Sequence, residues 1–282
     1  VSKLQPFARI VIDPVVQRAI AGVLAFASMS ACAKDSSRPP RAVSTHASAA
    51  RVNDSAAGAI DLGGSTYRAV KLTAVGSVIG TIRSANTSSS DASEPTTTAA
   101  ATPACAAKRV GRAATSRHDF ANTIVWIADV KSGKPMPVEK RADLSSEDCL
   151  LDPVVQGVVV GTTMNIINDD KVLHKLVFTK LGTHDTLIVT PFFNAGQMVT
   201  SERVAKSSGI VEVRCVQHPW TRGYIAVFDH PYFAVTEGNG TFKIDSLPPG
   251  SYKLMVWRDG DAKPAEQSIQ VPAGGVARVD MK

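Results

Sequence analysis

The stretch VRCVQHPWTRGYIAVFDHPYF, residues 213–233, decides how this chain is read. It sets two residues between Cys215 and His218, with Pro219 and Trp220 immediately behind them. On either side stand GIVEVRCV (209–216) and GYIAVFDH (223–230), rich in β-branched and aromatic residues in the manner of strands. Two readings are open at this point. Either the thiolate and the imidazole share a metal, or a tight loop between two strands happens to carry two reactive side chains. A lone Cys-x-x-His does not choose between them.

Working outward, the same strand character recurs in TYRAVKLTAVGSVIGTIR (66–83), NTIVWIADV (122–130), VVQGVVVGTTMNIIN (154–168), HKLVFTKL (174–181) and TLIVTPFF (186–193). It continues in GTFKIDSL (240–247), SYKLMVW (251–257), SIQVPA (268–273) and VARVDM (276–281). Gly, Pro and Asn-Gly punctuate these runs, and no helical period of useful length appears. Many short strands at close spacing imply an all-β chain of sandwiches or barrels. With 282 residues, 44% of them apolar and 6% aromatic, the chain can build one or two cores of β-branched side chains. The formal charge of +6 is spread along the chain, and no run of Lys and Arg interleaved with aromatics forms a nucleic-acid groove.

The N-terminal part reads differently. After Arg18 comes AIAGVLAFASMSAC (19–32), an apolar run of signal-peptide length that ends in small residues before Cys32. MSAC resembles a bacterial lipobox, which implies cleavage before Cys32 and lipid attachment to its thiol. Met29 in place of Leu leaves ordinary secretion open, and Val1 with Asp13 leaves the true start open. Residues 1–32 are therefore expected to be an export signal. Residues 33–66 are expected to be a flexible tether, and SANTSSSDASEPTTTAAATPA (84–104) a disordered loop. In an exported chain, Cys105, Cys149 and Cys215 then remain. Cys105 and Cys149 flank a predicted strand in polar surroundings, and a disulfide between them would pin the long loop. Cys215 is left single beside His218.

The upstream segment NDDKVLHKLVF (168–178) adds a second imidazole, His174, at the start of a strand. His174, Cys215 and His218 are two imidazoles and one thiolate, the donor set of a blue-copper centre. NDDKVLHKLVF and VEVRCVQHPWTRGYIAVF (211–228) resemble the two ligand-bearing segments of the cupredoxin family, in its short-loop form similar to amicyanin. The resemblance spans about residues 145–230. It implies a Greek-key β-sandwich holding one type 1-like copper, with His174, Cys215 and His218 as equatorial ligands. His218 is expected to lie nearest the surface and to be the exit for electrons. The family pattern places an axial Met three residues after the second His, where this chain has Thr221. It places Asn after the first His, where this chain has Lys175. Met164 and Met198 are expected to pack rather than ligate. A weak or open axial position alters a potential more than it abolishes binding, and a copper-free, degenerate pocket is the competing outcome.

His184 reads as a solvated loop residue, and His46 and His118 sit in or beside low-complexity stretches. His230 is expected to pack the junction between two domains. Trp220 is expected to shield the second imidazole or pack a partner surface, and Arg222 to set the charge there.

YFAVTEGNGTFKIDSLPPGSYKLMVW (232–257) resembles the carboxypeptidase regulatory-like module, a transthyretin-like β-sandwich. Residues 233–282 are too few for a whole sandwich. GSVIGTIR (76–83) and NTIVWIADVKSGKPM (122–136) resemble its missing opening strands. The resulting expectation is that residues 67–138 and 233–282 form one sandwich, with the cupredoxin-like residues 145–231 inserted in it.

Three classes of function follow. The first is an exported, lipid-anchored electron carrier in the periplasm or on the cell surface, with a redox partner protein in the cell envelope and a membrane contact through its anchor. The second is a copper-free binding module for a protein or carbohydrate. Exposed aromatics would mark a carbohydrate surface, but Phe242, Tyr252 and Trp257 alternate as core residues do. The third is an enzyme, for which no nucleophile elbow, paired carboxylates or His-Glu zinc signature is present.

Overall fold

A computed structural model describes residues 62, 66–83, 105 and 122–281. Cys32, His46, His118 and the loop 84–104 lie outside the described residues. Among the described residues no helix is long and apolar enough to cross a membrane, and the chain is all-β.

The first strands are β1 (Arg68–Ala69), β2 (Gly76–Ile82), β3 (Ile124–Ile127) and β4 (Ser132–Gly133). Next come β5 (Arg141–Glu147), β6 (Leu150–Asp152), β7 (Val155–Val159), β8 (Thr163–Asn168) and β9 (His174–Lys180). The series continues with β10 (Thr186–Phe192), β11 (Gln197–Ser201), β12 (Gly209–Cys215) and β13 (Arg222–Phe228). The last are β14 (Phe233–Val235), β15 (Thr241–Leu247), β16 (Gly250–Trp257), β17 (Ala265–Val271) and β18 (Val276–Met281).

Strands from the two ends of the described region pair with each other. A four-stranded sheet runs β14-β3-β16-β17, and a three-stranded sheet runs β15-β2-β18. In the first, Ile127 faces Leu254 and Val125 faces Val256. These two sheets enclose one core, in which Val78, Val125, Ile127, Leu254 and Val271 are buried. The residues between them form a second pair of sheets, β10-β9-β12-β13-β7 and β11-β8-β5-β6. Their core takes the alternate residues of each strand, as the two-residue pleat requires. β9 gives Leu176 and Phe178, and β12 gives Val211, Val213 and Cys215.

Among the described strands, β3 and β13 are buried on both faces, as β12 is over most of its length. β3 (IVWI) and β13 (RGYIAVF) are apolar almost throughout because each faces its own core on one side and a third cluster on the other. That cluster joins Ile124, Trp126 and Trp257 to Ile210, Tyr224 and Phe228. Phe228 stacks on Phe233, with ring centroids 4.3 Å apart. Leu62 is also buried here, 1% exposed, although its position was expected to belong to a free tether. An apolar side chain packed in this cluster anchors the chain at that point.

Candidate metal centre

β9 begins at His174 and β12 ends at Cys215. The two strands are antiparallel neighbours, with Cys215 opposite Leu176, so both donors emerge at one end of the sheet. The return from β12 to β13 is tight. Thr221 N donates to His218 O (2.8 Å), and Cys215 N donates to Thr221 O (3.0 Å). These two bonds fold the loop back so that His218 meets Cys215. Val216 N donates to the carbonyl of Lys175 (2.9 Å), so the backbone beside the first histidine tethers the cysteine loop. The lysine side chain takes no part in that bond.

His174 Nδ1 lies 3.4 Å from Cys215 Sγ, His218 Nδ1 3.6 Å from the same sulfur, and the two Nδ1 atoms 3.3 Å from each other. Exposure is 0% for His174 and 3% for each of the other two. A point equidistant from the three atoms lies about 2.0 Å from each. First-row metal bonds run about 2.0–2.1 Å to imidazole and about 2.3 Å to thiolate. The triangle therefore fits one metal ion, and a His2Cys trigonal set is the donor chemistry of copper electron-transfer sites.

The outer edges of the rings are also occupied. Asp170 Oδ2 stands 2.9 Å from His174 Nε2, off the line of a good hydrogen bond, and accepts from Cys149 N (2.9 Å). A carboxylate on this edge favours a proton at Nε2 and leaves the Nδ1 lone pair for a metal. Asp170 is in turn held by the preceding turn, where Asn168 is wholly buried. Asn168 donates to Asp170 O (3.0 Å) and Asn194 O (2.9 Å) and accepts from Ser146 Oγ (2.9 Å). Burial pushes the His174 imidazolium below its ordinary range, outweighing the opposing pull of Asp170. Burial does the same to His218, helped by the neighbouring His174 ring. Both rings are thus biased toward the neutral form that a metal requires.

Cys105 and Cys149 form a disulfide. Cys105 Sγ lies 3.6 Å from His218 Nε2, so the edge expected to face solvent is covered by sulfur. The Trp220 ring, centred 5.2 Å from that of His218, shares the covering. Thr221 is fully buried, and its hydroxyl donates to the carbonyl of Cys149. Its position after the second histidine thus serves to tie the ligand loop to the β5–β6 turn.

On the opposite face of β12 from Cys215, Glu212 meets Arg214 Nε (2.8 Å) and Arg222 Nε (2.5 Å). Asp259 accepts from Tyr224 OH (2.5 Å) and pairs with Arg222 Nη2 (3.3 Å). Arg222 therefore faces this network rather than a free surface. Met164 is buried in the core beside Ile166, Met198 is 58% exposed, and His184 is exposed. Asp170, Ser146 and Asn168 frame the candidate centre; Asn168 and Asp170 stand in the run that leads to His174, but no role is assigned to them, or to Ser146, from the sequence alone. The available signal was an acid four residues before the first histidine.

No family model matches this chain, and no curated protein matches it. Solved structures overlap part of it. A purple cupredoxin from Nitrosopumilus maritimus is 24% identical over 30% of this chain and 98% of that one, with a TM-score of 0.27. A reduced mutant of amicyanin is 18% identical over 32% of this chain and 85% of that one, TM-score 0.28. A copper-containing nitrite reductase from Thermus scotoductus SA-01 is 23% identical over 36% of this chain and 24% of that one, TM-score 0.28.

Proposed function

We propose that this chain is an exported, cupredoxin-like protein that binds one copper at His174, Cys215 and His218 and passes single electrons to a partner protein in the cell envelope. The observation that carries the reading is the buried triangle of two Nδ1 atoms and one Sγ, with edges of 3.3, 3.4 and 3.6 Å. Copper held there supplies a one-electron couple. The thiolate of Cys215 supplies the covalent donor, and the two imidazoles suit both oxidation states. β9, β12 and the hydrogen-bonded 215–221 loop fix the donors, which keeps their rearrangement small.

In the same reading, the central sandwich is an insertion in a regulatory-like sandwich. The pairing of β3 with β16 supports this. Lipid attachment at Cys32 would hold the protein at a membrane, facing the periplasm or the cell exterior.

The test is titration of the purified chain with Cu(II), followed by visible absorption and EPR. The expected result is an intense thiolate-to-copper band that saturates at one equivalent. Cys215→Ser should abolish the band with an unchanged circular dichroism spectrum. A band that survives in Cys215→Ser would overturn the ligand assignment. Only weak, colourless binding would leave the central sandwich as a copper-free binding module.

A further inference from the structure

The His218 ring has a sulfur atom at both of its nitrogens. Nδ1 lies 3.6 Å from Cys215 Sγ, inside the centre described above, and Nε2 lies 3.6 Å from Cys105 Sγ, outside it. Cys105, Cys149 and His218 are all buried, and their donor atoms lie within 4.8 Å of one another. Cys149 is also grouped with Asp170 and His174 at the same distance limit. The disulfide therefore lies against the outer edge of His218 and close to His174. A cross-link that served only to close its loop would have no need to sit against the His218 ring.

We propose that the Cys105–Cys149 pair, when reduced, forms a second site for a soft monovalent ion, Cu(I), on the far side of His218. The choice of Cu(I) as the ion rests on the copper reading of the first centre; the site itself rests on the three donors. Disulfide sulfurs are poor ligands, whereas two thiolates beside an imidazole select Cu(I) over harder ions. The cycle balances without any change in copper oxidation state. A dithiol reductant delivers two electrons and two protons to the S–S bond and becomes a disulfide itself, leaving thiols on Cys105 and Cys149. Cu(I) then displaces both thiol protons and forms two Cu–S bonds; His218 Nε2 becomes the third donor by releasing its own proton as well, so that three protons pass to solvent and the ring bridges the two ions as imidazolate, Nδ1 on the first and Nε2 on the second. The redox state of one cysteine pair thereby sets whether the chain holds one ion or two, with His218 between them.

The experiment is anaerobic titration of Cu(I) against a chromophoric Cu(I) chelator. It compares the oxidised full chain with the same protein reduced by a dithiol and freed of it. Reduction should add one equivalent of bound Cu(I), and the Cys105→Ser, Cys149→Ser double variant should gain none. Cys215→Ser should lose the first equivalent and still gain the second on reduction. If oxidised protein binds nothing but reduction adds an equivalent that the double variant lacks, the first reading fails and this one stands. No gain on reduction, or a gain that persists in the double variant, overturns it. Should the double variant fail to fold, alkylation of the reduced wild type read by mass gives the answer. Cu(I) should protect Cys105 and Cys149, and equal labelling with and without Cu(I) overturns the site.

Discussion

Asp170 touches both His174 and the frame of the candidate centre. One carboxylate oxygen stands 2.9 Å from His174 Nε2 and accepts from Cys149 N. In Asp170→Asn a side-chain oxygen can still accept from Cys149 N, so the β5–β6 turn keeps its bond, but the charge beside His174 is gone. Changes in such outer partners lower metal affinity about 10–100-fold. That loss is expected here, with an unchanged unfolding midpoint, in a copper competition titration. Unchanged affinity would mean that Asp170 only braces the turn. Its spacing of four from His174 was visible, but its role was not, because its backbone partner lies 21 positions away and Asp in an Asn-Asp-Asp run reads as an ordinary turn former. His174, Cys215 and His218 drew attention for the opposite reason: one spacing and one strand start carry them. The sulfur against His218 Nε2 left no local trace, since Cys105 is 113 positions from its neighbour.

β13 governs the placement of the ligand loop, because Arg222 follows Thr221 directly and the strand is packed on both faces. At Gly223 a Cβ would meet Val154 O at 2.5 Å and Leu151 Cδ1 at 3.0 Å. That same carbonyl accepts from Tyr224 N at 2.8 Å, so it cannot retreat without breaking a bond. Gly223→Ala is expected to cost about 1–3 kcal/mol, the range for forced overpacking, and to weaken copper binding in parallel by displacing Thr221. Urea midpoints and metal competition on one sample check both effects. A midpoint equal to wild type would show that the β6–β7 connection gives way freely.

Strands of this buried kind were the legible ones. β5 (RADLSSE) and β11 (QMVTS) were not foreseen, because only Leu144 and Ser146 of the first and Ser201 of the second are buried. β11 is an edge strand, where polar residues protect unpaired backbone. TYRAVKLTAVGSVIGTIR reads as continuous strand, yet it pairs only at Arg68–Ala69 and Gly76–Ile82. Val70 and Val75 between them are 46% and 39% exposed, so their β-branched character serves no core.

Across the whole molecule the two pairs of sheets meet through Trp126, Tyr224, Phe228 and Trp257. Strand partners as distant as Val125 and Val256 leave no mark on local periodicity, so only a likeness between remote segments could suggest the pairing. The chain leaves the central sheets between β13 and β14, and His230 stands in that crossing, 1% exposed. The rings of Phe228, Tyr67 and Tyr232 face it at centroid distances of 6.0–6.3 Å, and its Nδ1 accepts from Tyr232 N (3.1 Å). Burial lowers its pKa to about 4, against backbone hydrogen bonds that raise it. A histidine in the unfolded chain titrates near 6.5. Above that value His230 is neutral in both states and costs nothing. As the pH falls, the unfolded state takes up a proton that the folded state refuses, so stability drops with falling pH until about 4, where the folded ring protonates as well. The shift corresponds to about 3 kcal/mol lost across that window. His174 and His218 act in the same direction, so comparison with a variant is needed to isolate His230. Urea midpoints of the metal-free chain, taken from pH 7 down to 4, should fall more steeply for wild type than for His230→Gln. The difference between the two should open below pH 6.5 and level off near 4. Parallel curves would place the acid sensitivity elsewhere and leave the aromatic crossing indifferent to pH.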